Sequence, residues 1–222
     1  CFSYSTVMAG NLVALLDRAV QLTDRAVPPS KHAIVSPMTI RRTYEALVFD
    51  FDGTLVDSAE ELVRAFVRLG VPREGITFGH AIAEETERLG LSLEAYADAY
   101  RVDVVEPFAG VSSVVPLLGR WSLCSNKHPR SGAAELERLG WHPELAYFSD
   151  SFDWSHKHLA PLLDAMGLTA AQVAMVGDSE GDARCAAEVG CDMVWAGWNP
   201  RVDSDTHDGI VLERPEQLLE LY

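Results

Sequence analysis

A chain of 222 residues, 48% hydrophobic and 23% charged, has the profile of an ordinary soluble protein with one well-cored domain and room for a small accessory one. Its net charge is −15: residues 1–43 hold five basic and two acidic side chains, whereas residues 44–222 hold 13 and 31. That acidity argues against a nucleic-acid partner, the lack of an apolar run of roughly 18 residues excludes a transmembrane helix, and any phosphate site needs a strong local positive centre.

The chain opens on Cys1 rather than methionine, which reads as a fragment or a misplaced start, with Met38 a candidate start. Leu12, Leu15, Leu16, Ala19 and Leu22 share one face at helical spacing, so an amphipathic helix is expected over 11–27. Pro28-Pro29-Ser30 and Ser36-Pro37 end it. The arginines suggest a transit peptide faintly, and Asp17 and Asp24 argue against one. Residues 1–43 are expected to be an appendage outside the core.

From Tyr44 onward, strand and helix patterns alternate. Apolar runs at 46–49, 121–124, 173–176 and 193–196 look like strands buried on both faces of a parallel sheet. Helical patterns lie at 111–118, 132–139, 159–166 and 182–189. Such alternation predicts an α/β, doubly wound (Rossmann-like) parallel sheet built from residues 44–57 and 107–222. Residues 58–106 are Glu- and Ala-rich with no clear strand, and are expected to be a small helical cap inserted after the first strand. Cys1, Cys124, Cys185 and Cys191 form no C-x-x-C pair or zinc spacing and read as reduced thiols of a cytoplasmic protein.

The first strand runs into Asp50-Phe51-Asp52-Gly53-Thr54. Two acids two residues apart face the same way only while the backbone stays extended, so Asp50 and Asp52 can share one site. Gly53 lets the chain turn just beyond them. Adjacent carboxylates repel unless a cation or proton sits between them. A solvated acidic loop is the bland alternative, but a hydrophobic strand ending in D-x-D-G-T is not a random loop.

At these residues the chain resembles the haloacid dehalogenase superfamily, whose first motif is D-x-D-G-T. Further motifs fall in order: Ser125-Asn126 after the second core strand, Lys157, and Gly177-Asp178-Ser179-Glu180-Gly181-Asp182 matching G-D-S-x-x-D. The resemblance spans about residues 44–200, and each motif follows a strand's carboxyl end, where open α/β sheets bind ligands. It implies a Mg²⁺-dependent phosphatase in which Asp50, the Asp52 carbonyl and Asp178 bind the ion and Asp182 supports it. Asp50 then forms an aspartyl-phosphate, Ser125 and Lys157 bind the phosphoryl oxygens with Gly53, Thr54 and Asn126 as further binding residues, and Asp52 is the general acid/base. Dehalogenases of the superfamily do not use that second acid. Pro107-Phe108-Ala109-Gly110-Val111 resembles phosphoglycolate-phosphatase-like members, which implies a small phosphorylated metabolite as substrate; a sugar phosphomutase would share every motif.

The lysine position is open between two residues. The chain has 15 arginines and only Lys31, Lys127 and Lys157, so lysine is kept where a compact ammonium on a flexible stem matters. Lys157 is preferred to Lys127 for the phosphate, although His158 follows it where the family usually has proline. His156 and His158 are expected at the surface. Two rival readings stand: Gly177–Gly181 is formally G-x-S-x-G, which would make Ser179 a hydrolase nucleophile with Asp192 or Asp203 and His207, and the fold could serve as a non-catalytic phosphate-binding module.

Overall fold

The computed structural model describes residues 43–77, 81–207 and 209–222. The expected helix over 11–27, the remainder of residues 1–42 with Cys1, Lys31 and Met38, and their role as an appendage lie outside the described residues. The described chain belongs to one compact unit.

Strand β1 (Ala46–Phe49) lies at the centre of a six-stranded sheet. It pairs in parallel with β4 (Arg120–Cys124) on one side and β6 (Val173–Gly177) on the other. Strand β5 (Ala146–Tyr147) lies outside β4; β7 (Asp192–Ala196) and β8 (Ile210–Leu212) lie outside β6. All pairs in this sheet are parallel. Leu47, Phe49 and Val176 join one core while Ala46, Val48 and Met175 join a second, so every position of β1 is buried. Burial on both faces is why β1 and β6 are continuously apolar. The expected α/β architecture is what forms.

Helices α5 (Pro129–Leu139), α6 (Ala160–Met166) and α7 (Glu180–Val189) make the connections between the later strands. The helix expected over 111–118 is α helical only at α4 (Val111–Val114) and then tightens into a 3₁₀ turn over Val115–Leu117. Pro116 explains the change, because it lacks an N–H and its ring crowds the preceding turn. The two edge strands β5 and β8 went unexpected; at two and three residues they are too short to set up a period.

Residues between β1 and β4 form helices α1 (Ala59–Arg68), α2 (Ile82–Arg88) and α3 (Leu93–Ala99). At their base an antiparallel ladder, β2 (Val56–Asp57) with β3 (Glu106–Pro107), closes the insertion. The rings of Phe66 of α1 and Tyr96 of α3 lie tilted with centroids 4.5 Å apart, and both join the same core as Phe49 and Leu123. Buried Glu61 accepts the Arg68 guanidinium and the Arg101 N–H, so the turn after α3 is tied back to α1.

Candidate active site

Register brings the site together. Phe49 stands level with Leu123 and Val176, so the residues just past the three strand ends share one edge of the sheet. Asp50 follows β1, Ser125 follows β4 and Asp178 follows β6. The Asp50 N–H donates to Val176 O at 2.9 Å, which carries the ladder one step beyond the strand. The order of strand succession reverses about β1, outward through β4 and β5 on one side and then through β6, β7 and β8 on the other; that is the switch point where open α/β sheets leave a crevice. A cavity of about 660 Å³ opens there, lined by Asp50, Asp52, Ser125, Lys157 and Asp178, and also by Phe66 of the insertion.

Lys157 Nζ lies 2.7 Å from Asp50 Oδ1 and 2.5 Å from Asp182 Oδ1. Its backbone N–H donates to Asn126 Oδ1 at 2.7 Å, which ties the two loops together. Burial disfavours the Lys157 ammonium, but Asp182 and Asp50 outweigh it and hold its pKa above the ordinary value. Asp50 is pushed up to about 6, chiefly by burial and partly relieved by Lys157. Asp178 is pushed up to about 8 by burial and by Asp50 and Asp182. These shifts mark a site short of positive charge.

Oxygen ligands of Asp50, Asp178 and Asp182 lie within 4.8 Å of one another. A hard divalent cation fits an all-oxygen set of this kind. The three acids differ in what remains free. Asp182 Oδ2 accepts from the Asp178 and Ser179 N–H groups and from the Ser179 hydroxyl, and its Oδ1 faces Lys157. Asp50 and Asp178 each keep a carboxylate oxygen without a hydrogen-bond partner among the described residues.

Asp52 meets the other lysine. Lys127 Nζ is 2.6 Å from Asp52 Oδ1, 2.8 Å from the Tyr100 hydroxyl and 3.2 Å from Glu135 Oε2. The fold therefore brings both candidate lysines into one site, one against each acid of the first motif. Tyr100 and Glu135 were missed from sequence; the only signal was a glutamate on the core-facing side of α5, beside buried Leu136.

Gly53 has φ +82°, the left-handed region, and a Cβ there would lie 2.2 Å from Asp178 Oδ2. Asn199 was also missed. It is fully buried, and its side-chain nitrogen donates to Gly53 O at 2.8 Å and to Asp178 Oδ2 at 3.0 Å. Thr54 is fully buried too, its carbonyl accepting from Trp198 Nε1 at 2.8 Å, and it does not line the cavity. Ser125 lines the cavity and its hydroxyl accepts from the Lys127 N–H at 3.3 Å.

The serine-hydrolase constellation is not assembled. The Ser179 hydroxyl caps α7 by accepting from the Asp182 N–H at 3.4 Å and donates to the Asp182 carboxylate at 2.6 Å, while His207 stacks on Trp195 at 3.7 Å and Asp192 accepts from Tyr44. His156 is exposed at the cavity, and His158 is half-buried against Phe152. Cys124 and Cys185 are buried, and Cys191 is half-buried; none forms a disulfide among the described residues. No helix of the described residues is long and apolar enough to cross a membrane.

No family model matches the chain. It is 27% identical over 209 residues to a phosphoglycolate phosphatase of Xanthomonas campestris, covering 79% of this chain and 95% of the relative. It is 28% identical over 184 residues to a phosphoglycolate phosphatase of Mesorhizobium japonicum, covering 67% and 80%. Among solved structures, a haloacid dehalogenase-like hydrolase of Streptococcus pneumoniae superposes with a TM-score of 0.59 at 19% identity, covering 79% of this chain and 97% of that one. A haloacid dehalogenase superfamily hydrolase of Geobacter sulfurreducens gives 0.57 at 18% identity, covering 80% and 96%.

Proposed function

We infer that the chain is a phosphoric monoester hydrolase of the haloacid dehalogenase type, and we propose that Asp50 is its nucleophile. One observation carries the reading: the Asp50 carboxylate lies at a strand end in the cavity, 2.7 Å from the Lys157 ammonium and beside Asp178 and Asp182. A nucleophilic carboxylate attacking phosphorus needs positive charge at hand, because both reactants are anionic. Asp50 Oδ forms the bond to phosphorus as the ester oxygen leaves, and water then releases phosphate from the aspartyl-phosphate. Ser125 and Lys157 donate to the phosphoryl oxygens. Asp52 protonates the leaving oxygen and afterwards takes the proton of the attacking water.

Asp50, Asp178 and the Asp52 carbonyl would hold Mg²⁺, with Asp182 fixing Lys157 and the loop around Asp178. Bound there, the ion supplies charge neutralisation between carboxylate and phosphate. The relatives named phosphoglycolate phosphatases support a small phosphomonoester as substrate and make 2-phosphoglycolate the first to test.

The test is phosphate release from an aryl phosphate and from 2-phosphoglycolate. Activity should vanish with EDTA and return with Mg²⁺, and intact mass should find a phosphoryl adduct that Asp50→Asn abolishes. Metal-independent hydrolysis, or an adduct surviving in Asp50→Asn, would overturn the assignment.

A further inference from the structure

Asp52 is held by more than its own loop. Lys127 reaches it with an ammonium that is nearly solvent-free and is shared with Tyr100 and Glu135. The Tyr100 hydroxyl accepts from Lys127 and donates to Glu135 Oε1 at 2.8 Å. The Tyr100 ring also lies 4.5 Å from the ammonium, and the Phe51 ring lies 5.6 Å from it. A buried ion pair is poor evidence for stability, since well-packed apolar residues of similar volume often serve as well. Stability alone therefore leaves the cluster unexplained, and its location beside the second acid of the motif asks for another reason.

The four residues come from different parts of the fold. Asp52 and Lys127 follow β1 and β4, Glu135 lies on α5, and Tyr100 directly follows α3 of the insertion. Tyr100 is continuous with the insertion's interior, because its ring lies 6.2 Å from Tyr96, whose ring in turn lies 4.5 Å from Phe66. Glu135 is fully buried. It fixes the ammonium from the core side, so the remaining direction of Lys127 is toward Asp52.

We propose that Lys127, with Tyr100 and Glu135, positions the Asp52 carboxylate for its acid–base work, and that Tyr100 makes this placement depend on the seating of the helical insertion. This rests on the reading of Asp52 as the acid/base. Lys127 is thus a positioning residue, and the phosphate contact belongs to Lys157. Insertions that move over an active site complete the catalytic arrangement only when closed. Here the completing atom is the Tyr100 oxygen, and its departure would leave Lys127 one acceptor short and Asp52 less firmly held.

The experiment separates the two chemical steps on an aryl phosphate with Mg²⁺. The leaving group needs little acid help, so formation of the phosphoenzyme is insensitive to Asp52, whereas its hydrolysis needs the base. In Tyr100→Phe, phosphoenzyme decay should slow about tenfold, the scale of one hydrogen bond to a charged group, and the adduct should accumulate by intact mass. kcat should fall while kcat/KM, which reports the steps through phosphoenzyme formation, stays at the wild-type value. A merely structural loss would lower both. Lys127→Met should show the same split more strongly; should it not fold, Tyr100→Phe decides alone. Wild-type decay in a folded Tyr100→Phe overturns the proposal. So does a Lys127→Met enzyme slowed in phosphoenzyme formation, which would put Lys127 on the phosphate. Asp52→Asn is measured alongside: if it decays normally, the acid/base reading itself has failed, and not only the positioning role.

Discussion

The side-chain nitrogen of Asn199 lies 2.8 Å from the carbonyl oxygen of Gly53, joining residues 146 positions apart in sequence. The same nitrogen reaches Asp178 at 3.0 Å, so one buried amide sets the spacing between the first-motif loop and the loop after β6. Asn199→Ala removes both hydrogen bonds and leaves a buried carbonyl unsatisfied. Outer partners of metal ligands are typically worth about 10–100-fold in metal affinity or activity. The Mg²⁺ concentration giving half-maximal rate should rise within that range, read from a magnesium titration of phosphate release.

Gly53→Ala should abolish activity and lower the melting temperature. Its positive φ disfavours any side chain, and the new methyl would fall on the Asp178 carboxylate, 2.2 Å from Oδ2. Asp178 or the loop must move, so Mg²⁺ should also fail to raise the melting temperature. A variant that melts and binds Mg²⁺ like the wild type would refute the packing argument.

Lys157→Ala should reduce kcat by about 10²–10³-fold, the scale of losing one preorganised donor, or about 2.7–4 kcal/mol. It also strands Asp182, whose side chain is fully buried, without its cation. Removing one partner of a buried pair destabilises by about 3–5 kcal/mol. Adding Asp182→Asn to Lys157→Ala should recover part of the melting temperature and none of the rate. Recovery of both would mean that Lys157 acts only in folding.

The raised carboxylates predict a pH-dependent response to metal. Asp50 and Asp178 bind protons more tightly folded than unfolded, with folded pKa values of about 6 and about 8. Groups raised in this way contribute stability below the unfolded carboxylate range and lose it as pH rises through the folded values. Metal-free protein should therefore lose melting temperature between about pH 4 and pH 8 from these two groups. Mg²⁺ should offset the repulsion, so the increment in melting temperature on adding it should be larger at pH 8 than at pH 5.5. An increment independent of pH would show that Asp50 and Asp178 do not face the ion.

Local rules made part of this protein legible in its sequence. The runs at 46–49, 173–176 and 193–196 are apolar throughout, and that at 121–124 is interrupted only by the buried Ser122, as expected of strands covered on both faces. Asp50 and Asp52 could be placed in one site because they stand two positions apart just past a buried strand; both line the cavity, although the chain bends at Phe51 between them. Thr54 belongs to the same string, yet the turn at Gly53 carries it away from the cavity, which spacing in sequence could not reveal.

What the tertiary structure decided is which distant groups meet those acids. In sequence Lys127 and Lys157 compete for one role, whereas the fold gives each its own carboxylate, 2.6 Å from Asp52 and 2.7 Å from Asp50. Lys127 and Asp52 stand 75 residues apart, and they meet because β4 pairs directly with β1 while the whole helical insertion is looped out between them. Tyr100, Glu135 and Asn199 come from elements whose local patterns record only burial. Their polar atoms acquire meaning from the order β4-β1-β6, which sets three strand ends side by side and is the product of long-range pairing rather than of any local propensity.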